Sequence, residues 1–450
     1  MSDSCMSAPK VTCLPRKQQE RVWTWIFLDI IFLSLLVSVV CHALYGSLPL
    51  YIEAIGGKAA FSGLLTAVFA IAAGVGRIMT GMIVSRYGCR MVLIISAIIL
   101  TIANLGPLVF PGLGVLLFIR FFQGVGFSGI STGTANAAAE VLPRSRLGEG
   151  MGYYGLGQSI STVIGPSLGY FLFGLSQTTS LGTSIIWYSV ASISFILIGL
   201  AYICRYTRNV SDEKNETCEN HEKNVNYEKK EIVKNTESDE NIISQSVLTT
   251  PSPSIFSRIR DSFYERGAVA MAIVTSLFMF SASFYSSFLM LFAERNGIPN
   301  PQLFFLGTAG AMFAVRLFGA KLGDRFPPLS VLIPCFVLGL LSFWLTIVAN
   351  CTAMLLLVGI LYGICIGINF PILNTLAYRM TPSSRWHATT ATFFLGCDIG
   401  WAIGSYSWGV IIDHFGFSTA LFSAGMVIIL ASGVVFSILR RRNFNQSETA

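Results

Sequence analysis

Twelve stretches of this 450-residue chain are predominantly apolar for 20 residues or more. That is the length a helix needs to cross the hydrocarbon core of a bilayer. The first six fall near 26–52, 61–84, 91–110, 113–138, 150–175 and 183–204. The second six fall near 268–292, 302–322, 329–348, 353–377, 389–412 and 418–439. Charged residues make up only 12% of the chain, about half the share of a soluble domain, so lipid is the expected solvent for most of it. The first run continues from Trp25 to about Ile52, longer than the ~7–15-residue apolar core of a secretory signal, and reads as a retained helix. The ten cysteines show no CxxC and no paired spacing. Several lie inside apolar runs as small hydrophobes, so neither a disulfide framework nor a zinc site is expected.

The spans divide the chain into a tail at 1–25, a six-helix bundle at 26–204, a segment at 205–262, a second bundle at 263–439 and a tail at 440–450. The segment at 205–262 alternates acids and bases with few apolar residues, and 250-TPSPS-254 follows. It cannot bury a core and reads as a disordered linker. Lysines and arginines assign the sides. One set of short segments carries fifteen, from Lys10 through Arg86, Arg144 and Arg379 to Arg442, and the opposite set carries only Lys58 and Arg295. Both termini and the linker are therefore expected on the cytoplasmic side of the cell membrane. The formal net charge of +7 follows from this topology and from contact with anionic lipid, not from nucleic-acid binding.

The halves also match each other at one offset. Shifting by 239 residues places Arg77 on Arg316, Arg86 on Arg325, Gly124 on Gly363, Gly157 on Gly396 and Gly165 on Gly404. Duplicated halves are a feature of secondary transporters, whose substrate site lies near the midplane between the repeats.

Three motifs give the pattern a family. In 76-GRIMTGMIVSRYGCR-90, Gly81, Arg86, Gly88 and Arg90 stand at the spacing G-x-x-x-D-R-x-G-R-R, with Ser85 in place of the acid. In 116-LLFIRFFQGVGFSG-129, Arg120, Gln123, Gly124 and Gly126 fit R-x-x-Q-G-x-G. In 152-GYYGLGQSISTVIGPSLGY-170, Gly152, Gly165, Pro166 and Gly169 fit part of G-x8-G-x3-G-P-x2-G-G, with Ser161 and Tyr170 in place of two glycines. In these the chain resembles the major facilitator superfamily, and more narrowly its bacterial drug:proton antiporter branch. The resemblance implies a cytoplasmic gate at Arg77, Gly81, Arg86, Gly88 and Arg90, repeated at Arg316, Asp324 and Arg325. It implies a link between Arg120 and proton transfer, and it associates the glycine–proline motif with export. By itself, an arginine inside a span must face the bundle interior, a partner or water, and Arg120 also reads as a tie between helices through their carbonyls.

Asp398 lies about ten residues into the eleventh run, and Gly400 and Gly404 follow it. Desolvation opposes the charged form of a carboxyl, so one facing a central cavity can exchange a proton when one side opens. Asp398 is therefore read as a proton-coupling or cation site, with a structural pair or a permanently protonated acid as alternatives. His42, Asn136, Gln158, Asn369 and Asn374 are possible cavity residues or packing residues. The aromatic run 278-FMFSASFYSSF-288, with Trp401, Tyr406 and Trp408, is a possible apolar cavity wall.

The chain carries no GxxxxGK[ST], no HExxH and no metal-spaced His/Cys cluster, so neither ATP coupling nor an enzyme activity is supported. The sequence thus predicts an all-α membrane protein, a monomer of twelve transmembrane helices in two pseudo-symmetric six-helix bundles. Its expected partners are the bilayer, protons and a small molecule, and no cofactor is expected. Proton-coupled efflux is the expected function. Uptake by symport is the alternative within transport, and a transporter-like membrane sensor is the alternative from another class.

Overall fold

The computed structural model describes residues 22–203, apart from 111, 144–145 and 179–181, and residues 265–448, apart from 319–326 and 383–384. Every regular element among these residues is an α-helix. In hydrocarbon a helix pairs each backbone N–H and C=O within its own segment, which an open strand cannot do. In chain order the helices are α1 (Trp25–Ala54), α2 (Ala59–Val109), α3 (Leu113–Val141), α4 (Leu147–Ser176), α5 (Ser184–Ile203), α6 (Arg266–Arg295), α7 (Leu303–Phe318), α8 (Pro328–Ile347), α9 (Thr352–Arg379) and α10 (Trp386–Glu448). The predicted linker, 205–262, lies wholly outside the described residues.

Ten stretches among the described residues are long and apolar enough to cross a bilayer. Two lie within α2, at Ala59–Thr80 and Cys89–Val109. The sequence places a loop between them, whereas the backbone stays helical from 81 to 90. α2 nevertheless folds back on itself. Ala73 packs against Gly124 of α3 and Leu100 packs against Gly126, within one turn of the same helix. In a straight helix, 27 residues would separate Ala73 and Leu100 by about 40 Å. The stretch Ala388–Arg440 spans 53 residues, about 80 Å if straight and more than twice the bilayer core. It breaks at Gly416, whose φ of 81° and ψ of 174° leave the helical region. Only glycine adopts such a backbone without strain. A shorter apolar helix occupies Leu303–Arg316, and the residues that follow Phe318 are not among those described.

The repeat is visible in three dimensions. α3 and α9 begin 239 residues apart, as do α4 and α10. Gly124 packs on the Phe69 carbonyl, and Gly363 packs on the Thr308 carbonyl, both pairs being related by that offset. α1 and α6 end alike, with a left-handed glycine (Gly56, φ 77°; Gly297, φ 63°). In each, a bond runs from the next amide back five residues, Gly57 to Ile52 and Ile298 to Ala293, as helix C-caps require.

The largest buried cluster belongs to the second half and includes Phe278, Phe284, Tyr285, Phe288 and Trp408, with Leu50 and Ala59 joining from the first half. This corrects one sequence expectation. Phe284, Tyr285 and Phe288 are at most 1% exposed and form the core of that half, not a cavity wall. Trp408 is equally buried and donates its indole N–H to the Phe280 carbonyl at 2.7 Å. The Trp401 ring reaches the junction of the halves against Tyr45, and Tyr406, whose backbone packs near Gly63 of the first half, has an exposed side chain.

Candidate functional site

α2 and α10 come from different halves and pack antiparallel along much of their length. Small residues allow this approach. Gly63 meets the Ser405 carbonyl, Gly409 meets Ala59 and Ala60, and Gly74 faces the Asp398 carboxylate. Toward the end of α2's first span, Arg77 Nη2 lies 3.5 Å from Asp398 Oδ1, a salt bridge between the halves, with the two side chains 30% and 16% exposed. The Arg77 guanidinium also lies 5.7 Å from the centre of the Phe394 ring. The Arg77–Asp398 contact is longer than the ~2.7–2.9 Å of a good charge-assisted hydrogen bond. Asp398 Oδ2 and Arg77 Nε are buried with no partner among the described residues. The pair is a neutralised, partly exposed charge that no further hydrogen bond locks among the described residues.

The second centre is Arg120, a fully buried guanidinium two turns into α3. Its Nη1 donates to Gln123 Oε1 at 3.0 Å. Gln123 Nε2 donates to Asn104 Oδ1 at 2.7 Å, and Asn104 Nδ2 donates to Ser194 Oγ at 2.7 Å. This directed chain ties α3 to the second span of α2 and to α5. The guanidinium sits 5.1 Å from the Phe69 ring centre and 5.8 Å from that of Tyr45, the cation–π arrangement that holds a desolvated cation. Tyr45 in turn lies against Trp401 of the other half, ring centres 6.0 Å apart. Trp401 stands one helical turn from Asp398, so an aromatic bridge joins the two centres. Asn104 was not singled out from the sequence. A lone amide inside an apolar span was the signal available.

The remaining gate residues divide. Arg316 Nη1 donates to the Gly155 carbonyl at 2.9 Å and so crosses between the halves. Arg90 stays within the first half, donating to the Tyr202 carbonyl at 3.0 Å over that residue's ring. The surroundings of Gly81, Gly88 and Gly152 and the side chain of Arg86 are not described, and Asp324 and Arg325 lie outside the described residues. The other members of the glycine–proline motif pack on α1, Gly165 against His42, Gly169 against Ala43 and Pro166 against Gly46. The equivalent stripe on α10, Gly396, Gly400 and Gly404, packs on Ala272, Ser276 and Phe280 of α6.

The possible cavity residues also divide. His42 Nδ1 bonds the Ser38 carbonyl at 2.7 Å. Gln158 is exposed on α4 and Asn136 is half-buried. Asn369 is fully buried and donates to Cys365 Sγ at 3.3 Å, with its carbonyl oxygen unpartnered among the described residues. Asn374 is half-buried, with its carbonyl oxygen unpartnered among the described residues.

The face at the end of α1 carries its own cross-half contacts. Arg295 bonds Glu53 at 2.8 Å, and Tyr170 donates to Glu294 at 3.1 Å. Asp413 of α10 accepts from the Ala59 amide at 3.0 Å and from the Ala60 amide at 2.7 Å.

The family model described as Major Facilitator Superfamily matches residues 30–328 and 271–449. Similar proteins include the multi-drug resistance efflux pump PmrA of Streptococcus pneumoniae, 22% identical over 410 residues, covering 88% of this chain and 90% of that protein. They also include the staphylopine export protein of Staphylococcus aureus, 23% identical over 429 residues, covering 93% and 96%. Among solved structures, a bacterial homolog of the human lysosomal transporter spinster, inward-facing and unoccupied, superposes with a TM-score of 0.66 at 14% identity, covering 92% of this chain and 96% of that one. A peptide transporter POT in complex with sulfate gives 0.67 at 13% identity, covering 92% and 94%.

Proposed function

Since the chain belongs to the major facilitator superfamily, a family of membrane transporters rather than enzymes, we propose that it is a proton-coupled exporter of a small, partly hydrophobic molecule. In this reading twelve crossings form two six-helix bundles in the cell membrane, with the termini and linker on the cytoplasmic side. The 53-residue stretch of α10 supplies two crossings about Gly416, and α7 contributes to one. The bundles rock about a midplane chamber, and the face carrying Glu53 is the outer one.

The observation that carries the proposal is the Arg77–Asp398 pair. A carboxylate inside a span is tolerated when it faces a partner or water, and this one is paired across the two halves that must move apart. Protonation of Asp398 releases Arg77 and weakens the tie on the inner half of the α2–α10 seam. Deprotonation restores it. A proton thus biases which side opens, which is what coupling requires. The export direction draws on the glycine–proline seam between α1 and α4. It also draws on the two relatives, one named an efflux pump and the other an export protein.

The test is uptake into inverted membrane vesicles under an imposed pH gradient, over a panel of drugs, metallophores, sugars and amino-acid derivatives. Wild-type vesicles are expected to accumulate at least one compound, and Asp398→Asn vesicles with equal protein inserted are expected to lose gradient-driven accumulation. Equal accumulation with and without the carboxylate would remove the proposal.

A further inference from the structure

Helix α2 begins without a cap of its own. Its first amides need acceptors, and a Ser, Thr, Asp or Asn at the N-cap usually supplies one. Here the N-cap residue is Lys58, whose side chain makes no capping bond. The acceptor comes instead from the other half of the molecule, 354 residues along the chain. Asp413 Oδ1 takes the Ala59 amide and Oδ2 takes the Ala60 amide. Both carboxylate oxygens are used, each in a charge-assisted bond, and the negative charge sits on the positive end of the helix dipole. The backbones are in contact at the same place, because Gly409, one turn before Asp413, packs directly on Ala59 and Ala60.

We propose that Asp413 is the latch of the face carrying Glu53, a helix cap lent by one half to the other and withdrawn when that face opens. The alternative closures there are weaker. Glu53 and Arg295 are 40% and 44% exposed, and exposed ion pairs contribute little. Tyr170 and Glu294 share one exposed hydrogen bond. The Asp413 contact differs in that opening strands two backbone donors at once, and Lys58 at the N-cap has no side-chain acceptor to offer in its place. The latch rests on the geometry of α2 and α10 alone and holds whatever ion or substrate the transporter uses.

Spin labels at Ala54→Cys on α1 and Thr419→Cys on α10, both exposed on this face, report its opening by pulsed dipolar distance measurement in lipid nanodiscs, with the native cysteines replaced. Asp413→Ala is expected to raise the long-distance (open) population by about tenfold, the effect of losing one helix cap. Asp413→Asn keeps one oxygen acceptor and is expected to fall between Ala and wild type. A second variant separates a latch from mere helix capping. Lys58→Ser/Asp413→Ala gives α2 a cap within its own half, so a latch predicts that this face stays open. A distribution returned to wild type by Lys58→Ser would show that Asp413 only holds the helix end and would overturn the proposal. So would unchanged distances in Asp413→Ala. Transport that persists without a proton gradient would refute the proton-coupled function while leaving these distances as the independent test.

Discussion

Arg120, Gln123 and Asn104 have exact counterparts in the second half, 239 residues on, at Gly359, Tyr362 and Phe343. In the first half this place holds a buried cation and a chain of amides. In the second it holds packed rings. Tyr285 stacks on Phe343 at 4.4 Å and meets Tyr362 at 4.7 Å, while Phe304 completes the cluster. Gly359 leaves no room for a side chain because it lies on the Phe304 carbonyl. The same helix crossings are therefore satisfied by either solution. A buried charge is costly to keep, and the repeat shows that this fold does not need one here. In the proposed function Arg120 serves transport, while the aromatic cluster packs the second half.

Substitutions can break that contrast. Arg120→Met is expected to abolish gradient-driven transport while leaving the protein inserted and thermally stable, read by vesicle flux beside detergent melting. Phe343→Ala, in the aromatic cluster of the second half, is expected to lower stability by about 3–5 kcal/mol, read as a fall in melting temperature. Per folded molecule, transport should change little. A smaller effect is expected from Asn104→Leu. It leaves the Gln123 amide without its acceptor, a cost of about 1–3 kcal/mol, and frees Gln123 to turn away from Arg120, so transport should slow and Asn104→Asp should recover most of it. If Arg120→Met instead melts like Phe343→Ala and transports normally, the polar network is only an alternative core.

The smallest effect lies outside the membrane-spanning segments, at the foot of α6. Arg385 bonds Glu265 and holds its carboxyl below the usual range. A lowered carboxyl adds stability above its ordinary value, and that stability is lost as pH falls through the lowered value. Glu265→Gln should therefore lower the neutral plateau of a melting-temperature profile by a small amount, since Arg385 is partly exposed, leave the acid end nearly unchanged, and so flatten the acid limb.

The crossings and the duplication were readable from the sequence because both are one-dimensional. Apolar length marks a span, and a fixed offset carries Gly124 onto Gly363 whatever the helices do in space. What could not be read was facing. Nothing in the sequence tells that Arg77, grouped with a cytoplasmic gate by its motif, meets Asp398 of the opposite half, or that the 278–288 aromatics turn into a core. Period alone does not orient a helix that is apolar all round. Asp413 was overlooked for a related reason. A carboxylate near the end of a span reads as solvent-facing until the helix it caps, 354 residues away, is seen beside it. The helical backbone through 81–90 was missed because its charges and glycines resemble a loop.

The most direct measurement is proton movement driven by substrate. Purified protein is reconstituted into liposomes that contain a pH-sensitive dye, with no pH gradient at the start. A gradient of a compound identified in the vesicle panel is then imposed. The account predicts a dye response in the wild type, opposite in direction to the compound, and none in Asp398→Asn. Compound flux without any dye response in the wild type, or an undiminished response without the carboxylate, would contradict it.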